Sequence, residues 1–356
     1  MSILLFGDLH AHNWPRFSHQ LEDGANSRLA QQLNVLDQID DYIKLKKPHT
    51  LIFMGDLTHR RYFVQFSVLA PIRQKILELA YAVHETLLMV GNHDIEDKEG
   101  RYHSLSVFQG LEDQANIHVI DQPVFRRFRQ SEQRFFACPY MTGNGVVEAV
   151  AQAAHSLVVQ GREPIGLFHY SAEGKVLESD YMLPSVLTQE QLAPFRKVFF
   201  GHVHNPSEDD RLVYVGAPMH FDFGDLGQRY CVLYDEQTQA VEWLPLKYPK
   251  FVTTMYPKLP VKSDDGQEGF LRMLGVPAKE FVELKTTALE CGWTEVVLME
   301  EELPQQIQTF VAQHLSIDEG LLKDYVTRQL PDLVEADVQR VVDQGVEYIR
   351  KVEHQG

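Results

Sequence analysis

Five short clusters in this sequence gather side chains that bind metal ions: Gly7-Asp8-Leu9-His10, Gly55-Asp56-Leu57-Thr58-His59, Gly91-Asn92-His93-Asp94, His169, and Gly201-His202-Val203-His204. Their carboxylates, amide and imidazoles are oxygen and nitrogen donors that suit Mn²⁺, Fe²⁺ or Zn²⁺, without the thiolates of structural zinc sites. A glycine opens four of the five clusters, where it lets the backbone turn sharply and bring the following ligand close. Two such ions, set about 3.5–4 Å apart, need a carboxylate between them and together activate water for hydrolysis. Asp56 is the acid in the middle of the set, so the bridge is assigned to it.

Each cluster follows a short apolar run, at residues 4–6, 51–54, 87–90, 165–168 and 198–200, of the kind that forms a buried strand. In α/β folds the loops after such strands converge on one edge. Between the first two runs, Leu29, Leu33, Leu36, Ile39 and Ile43 recur at three- and four-residue spacing, predicting a core-facing helix over Ser27–Lys46 with Ser27 as N-cap. Further helices are expected over residues 64–82 and 146–159, and antiparallel strands over 212–215, 230–234 and 241–246. The fold class is therefore a layered α/β core. Prolines at 249, 257 and 260 mark a boundary near Lys247, which gives a main domain over 1–247, a small α+β cap over 248–330 and a terminal helix over 331–356. Residues 281–284 and 296–299 read as strands of the cap, and Ser316 to Glu319 has capping-box spacing. Pro331 suits the first turn of the last helix, whose stripe includes Val338, Val341, Val342, Val346, Ile349 and Val352.

The ordered set D-x-H, G-D, G-N-H-[DE], a lone His and G-H-x-H resembles the calcineurin-like metallophosphoesterases, over roughly residues 1–235. The resemblance implies two packed mixed sheets flanked by helices. It implies one metal held by Asp8, His10, Asp56 and His204, and a second by Asp56, Asn92, His169 and His202, with His93 beside the substrate phosphate and oriented by Asp94. Within that superfamily the chain is similar to the SbcD-type nuclease subunit in its phage form. The likeness rests on His59 after the second motif, on Tyr214-Val215-Gly216-Ala217-Pro218 with the following Phe221-Asp222-Phe223-Gly224-Asp225, and on the long C-terminal extension. It departs from the usual bacterial pattern at Ala217 and Asp225. That likeness implies two Mn²⁺ ions, DNA as substrate, 3′-to-5′ exonuclease and single-strand endonuclease action, His59 positioning the scissile phosphate, and an SMC-like ATPase of SbcC type as partner, with a homodimer possible. Two other readings stand beside it: a small-molecule or cyclic-nucleotide phosphodiesterase, which shares the metal motifs, and a non-enzymatic scaffold of a nucleoprotein complex.

The chain has 356 residues, 44% of them apolar and 23% charged, a globular composition that excludes a disordered one. No apolar run reaches the ~18 residues of a membrane span and the N-terminal run is too short for a secretory signal, so a cytoplasmic protein is expected, and the SbcD-type likeness implies that the cell is bacterial or phage-infected. The three cysteines, Cys138, Cys231 and Cys291, have no metal-like or disulfide spacing and read as core residues. Net charge is −17, of which −11 lies from Asp264 onward, where 19 acids face 8 bases. That acidic end is a solvated surface or a docking face for a basic partner, and it does not exclude DNA at the other end of the chain. Arg60, Arg61, Arg126, Arg127, Arg129 and Arg134 could meet phosphates, with solvated charged strands as the plainer reading. His12, Trp14 and Arg16 read as a packed loop near the cleft mouth, and His103, His118, His155, His220 and His314 as histidines without a ligand role.

Overall fold

Strand β1 (Ser2–Phe6) turns Ile3 and Leu5 to one side and Leu4 and Phe6 to the other, and all four are buried, so its sheet must be covered on both faces. The computed structural model describes residues 1–97, 100–129, 131–143, 145–160, 163–173, 187–262, 266–300 and 319–329, with 338, 341 and 342. In it β1 pairs in parallel with β2 (Thr50–Phe53), which is followed by β3 (Glu85–Met89) and β4 (Ile117–Ile120), also parallel. On its other side β1 runs antiparallel to β11 (Tyr230–Asp235), and β11 antiparallel to β12 (Val241–Pro245), which completes a six-stranded mixed sheet.

A second six-stranded mixed sheet has the order β5 (Val124–Arg127), β6 (Arg134–Cys138), β7 (Ile165–Phe168), β8 (Lys197–Phe200), β10 (Leu212–Tyr214) and β9 (Ser207–Asp209). Ile3, Leu5, Ile52, Met54, Leu87 and Met89 of the first sheet share one apolar layer with Phe135, Ala137, Ile165, Leu167, Phe199 and Val213 of the second. The outer face of the first sheet packs on helices α1 (Ser27–Lys46) and α2 (Phe66–Tyr81), and that of the second on the helix Gly145–Gln160. The result is the layered fold expected from the sequence: two mixed sheets face to face, flanked by helices. Burying several large side chains per strand, at about 1.5–3 kcal/mol each, makes this framework stiff enough to hold polar loops at its edge.

Three expectations are corrected. Asn26, not Ser27, caps α1: its extended backbone lets its side-chain oxygen accept from Arg28 N and Leu29 N, while the Ser27 hydroxyl accepts from His19 N. Leu212–Tyr214 (β10) is antiparallel to β9, as expected, but parallel to its other neighbour β8, because the chain reverses through Asp210, at φ 38°, between β9 and β10. Residues 281–284 open the helix Phe281–Glu290; a four-residue stretch with three apolar side chains has no period long enough to separate strand from helix. Residues 296–299 do lie in a strand, β15 (Glu295–Glu300), in a three-stranded sheet with β13 (Lys250–Met255) and β14 (Gly269–Val276) between.

The chain divides into two compact units, one of Met1–Val252, Val261–Leu271 and Gly292–Glu295, the other of the remainder. In the second unit Leu322, Val326, Val338, Val341 and Val342 are buried, whereas Val346, Ile349, Val352 and the capping box from Ser316 lie outside the described residues. Cys138 and Cys231 are buried and Cys291 is only partly so. No described helix is long and apolar enough to cross a membrane.

Candidate metal centre

Because β1, β2 and β3 are parallel in one sheet and β7 and β8 in the other, the loops that leave them meet at one edge. The loops after β1 and β2 are zipped together by Asp8 N donating to Gly55 O at 2.8 Å, His10 N to Asp56 O at 3.0 Å and Ala11 N to Leu57 O at 2.8 Å. Asp8, His10, Asp56 and His202 all sit at positive φ, from 45° to 81°, a region that costs a non-glycine residue about 1 kcal/mol or more. Four such residues in one place mean that the framework imposes the geometry on the loops. Gly91 shows how closely they approach: a β-carbon there would lie 2.2 Å from the Asp56 carboxylate.

Asp56 occupies the middle. Its Oδ2 stands 3.5 Å from His10 Nε2 and 3.4 Å from His169 Nε2. Its Oδ1 accepts the backbone N–H of His93 at 2.7 Å. On one side Asp8, His10 and His204 bring ligand atoms within 4.8 Å of one another, with His10 Nε2 and His204 Nε2 3.0 Å apart. On the other, Asp56, His169 and His202 form a second such group, and Asn92 Oδ1 lies 3.0 Å from His169 Nε2 and 2.9 Å from His202 Nδ1. The seven residues expected as metal ligands are thus brought together, in two groups that meet at Asp56.

This donor set fits divalent ions. Ring nitrogens and carboxylate oxygens converge here, and among the described residues His10 Nδ1 is buried with no hydrogen-bond partner. The outer nitrogen of the His169 ring is fixed by the fold: Nδ1 is 2.7 Å from the Met54 carbonyl, to which it donates, leaving Nε2 for the cluster. Burial pushes the Asp8 carboxyl up to about 6. Burial also opposes charge on Asp56, but His169, His10 and His93 hold its carboxyl well below the usual range. Burial disfavours a proton on His169, yet Asp56, Asp8 and the Met54 carbonyl outweigh it and raise the ring to about 9. His202, buried beside His169, is lowered to about 4.

Protons therefore stand against an incoming cation on Asp8 below about 6, on His169 below about 9, and on His204, where burial opposes the proton but Asp225, Asp8 and Asp56 outweigh it and raise the ring. Cation affinity should rise with pH, most steeply below about 6, where all three groups carry protons, and level off above about 9. Calorimetric titration with Mn²⁺ from pH 5 to 9, repeated in buffers of different ionisation enthalpy to count protons, checks this; a flat profile would mean that these groups do not bind the ion.

His93 and Asp94 divide their work differently from the expectation. The Asp94 carboxylate does not hold the His93 ring. It accepts from the backbone N–H groups of Asp56, Leu57, Thr58 and Gly91 and from Ser104 Oγ, at 2.7–3.2 Å, and so fixes the loops that carry Asp56 and Asn92. The carboxylate is drawn to this knot of peptide N–H groups because they need acceptors in a buried place. Its burial and the charge of Asp56 push Asp94 up to about 6. The His93 ring is oriented instead by donating from Nδ1 to the His59 carbonyl at 2.6 Å, which leaves Nε2 for other work. His59 stacks on His93 with ring centres 5.6 Å apart, and burial together with His93, His12 and Arg60 lowers it to about 4.

These residues floor an open cavity of about 660 Å³ walled by Trp14, Phe221 and Phe223. Trp14 packs against His59 at 4.2 Å and stacks on Phe221 at 5.7 Å, so it is part of the cavity and not only a packed loop. Two buried arginines support this wall, and neither was singled out in the sequence. Arg28 donates to the carbonyls of His220 and Phe221, and Arg229 pairs with Asp225 at 3.0 Å and donates to the His204 carbonyl. Asp225 Oδ1 stands 3.6 Å from His204 Nδ1, so that His204 Nε2 is the nitrogen turned to the cluster. The acid of the Phe221 to Asp225 stretch was the available signal; an arginine in a helical or strand pattern gives none. Arg126 and Arg127 have carboxylate partners, Glu85 and Glu132, and Arg129 binds Asn116, so these three serve the fold. His220 is a buried histidine bonded to the Gly227 carbonyl.

The family described as calcineurin-like phosphoesterase matches residues 1–206. A curated relative, exonuclease subunit 1 of Enterobacteria phage T4, is 26% identical over 226 residues, which make up 60% of this chain and 61% of that protein. The chain thus matches less than two thirds of that relative's length. Solved structures similar to the chain include a dimetal phosphatase from Danio rerio, 9% identical over 61% of this chain and 87% of that one, and a calcineurin-like phosphoesterase from Bacillus subtilis, 13% identical over 69% and 89%, each with a TM-score of 0.40.

Proposed function

Since the chain belongs to the calcineurin-like phosphoesterase family, whose centre is dinuclear, we propose that it is a two-metal phosphodiesterase acting on DNA, the nuclease subunit of an SbcCD-like complex. The observation that carries the reading is the shared position of Asp56, within 3.5 Å of a ring nitrogen in each of the two ligand groups. Asp8, His10, Asp56 and His204 would hold one ion, and Asp56, Asn92, His169 and His202 the other. Bound there, two Mn²⁺ ions would supply Lewis acidity and lower the pKa of water at the site. His93, with a proton on each ring nitrogen, would donate from Nε2 to the phosphoryl group and pass that proton to the leaving oxygen, while its Nδ1–H stays on the His59 carbonyl and fixes the ring's orientation. His59, next to it in the cavity, would position the scissile phosphate. The match to a phage exonuclease subunit supports a nuclease that works in a complex of several subunits; DNA as the substrate and an SMC-like ATPase as partner are what the SbcD-type likeness of the motifs implies.

Purified protein with Mn²⁺ should release nucleotides from linear duplex and single-stranded DNA, faster when the ATPase subunit and ATP are added. Hydrolysis of bis-p-nitrophenyl phosphate or cyclic AMP with no cleavage of either DNA would defeat the nuclease reading in favour of a small-molecule phosphodiesterase.

A further inference from the structure

The loop that carries His59 continues into the most exposed aromatic surface of the main unit. Tyr62 is 76% exposed, Phe63 59% and Phe66 87%, all within five residues. Arg60 and Arg61 precede them, both exposed, and among the described residues no carboxylate pairs with either guanidinium. In a chain of net charge −17 an unpaired basic pair is conspicuous, and so are three large rings left in water, because exposed apolar clusters mark interaction sites. The segment adjoins the cavity. His59 lines it, the charge of Arg60 acts on both His12 and His59, and Asn13 Nδ2 donates to Gln65 Oε1 at 2.7 Å and to Ser67 Oγ at 3.2 Å, tying the segment to the loop of Trp14.

Resting on the reading of the site as a DNA phosphodiesterase, we propose that residues 60–66 form a platform for single-stranded DNA leading into the catalytic cavity. Arg60 and Arg61 take backbone phosphates, and Tyr62, Phe63 and Phe66 stack unpaired bases. A pair of cations beside exposed rings suits a single strand, since each nucleotide offers one anionic group and one π face. Paired bases are already stacked on one another and cannot use the rings. The platform therefore selects unpaired strands and delivers their phosphates to the ions.

The test is binding of a fluorescent oligothymidylate, followed by anisotropy without added Mn²⁺, alongside a duplex of equal length. The full-length protein should bind the single strand more tightly. Phe63→Ala should weaken that binding about 5- to 100-fold, the range for one lost stack, and Tyr62→Ala with Phe66→Ala should weaken it further. Arg60→Ala with Arg61→Ala should flatten the slope of log affinity against log salt by about 1.4. Hydrolysis of bis-p-nitrophenyl phosphate, which is too small to reach the platform, should be unchanged in the aromatic variants and reports correct folding. Unchanged single-strand affinity in the aromatic variants while DNA is still cleaved would overturn the platform and leave the nuclease reading standing. So would a shift from dimer to monomer at constant DNA affinity, which would make this a face between copies of the chain. Failure of the unaltered protein to bind or cleave any DNA, with bis-p-nitrophenyl phosphate still hydrolysed, would defeat both.

Discussion

Asp56→Asn should lower Mn²⁺-dependent turnover by roughly 10³-fold or more and leave fewer than two ions per chain, because both ligand groups and the neutralisation of charge on phosphorus depend on that carboxylate. Asparagine fills the same space and tolerates the left-handed backbone that Asp56 adopts at φ 59°, so the loop itself should survive. What it loses is charge and one acceptor. The amide would turn an N–H₂ group towards either His10 Nε2 or His169 Nε2, which the carboxylate oxygen now faces at 3.5 and 3.4 Å. Metal analysis of the purified variant, with kinetics on bis-p-nitrophenyl phosphate, checks this. Two ions per chain together with near-normal turnover would show that Asp56 is not the bridge.

His93→Ala should separate chemistry from binding. Turnover is expected to drop ~10²- to 10⁴-fold, the range for a positioned acid or charge donor. Both ions should remain, since the Asp56 carboxylate is held by the backbone N–H of His93, which alanine keeps. The alternative has a structural basis: His10, His59 and His93 also bring ring nitrogens within 4.8 Å of one another. Loss of metal along with activity would make His93 a ligand and move the acid to another group, for which His59 is the nearest candidate.

The sequence by itself determined which side chains enter the centre. Each of the seven ligand candidates follows an apolar run, and a strand buried on both faces leaves an unbroken apolar signature that ends where its polar loop begins. Strand identity and loop placement are local properties, so the parallel strands and the two long helices were legible. The segment at 281–284 was not, because periodicity needs more than four residues to tell a helix from a strand.

What the tertiary structure alone decided is who touches whom. Asp94 stands next to His93 in the chain, and adjacency suggested that it orients that ring. The folded chain instead turns the carboxylate into a knot of four peptide N–H groups, from Gly91 and from three residues of the loop after β2, and gives the ring to the His59 carbonyl. The sequence cannot announce this, because backbone N–H groups are the same at every residue and only folding shows which are buried without a partner. The same holds for Arg28 and Arg229, buried cations whose acceptors are carbonyls and a carboxylate on a loop that in Arg28's case lies about 190 residues away in the chain. The donor types that gather at the centre were written in side-chain chemistry, whereas much of their orientation rests on main-chain groups, such as the Met54 carbonyl behind His169, that carry no sequence signal.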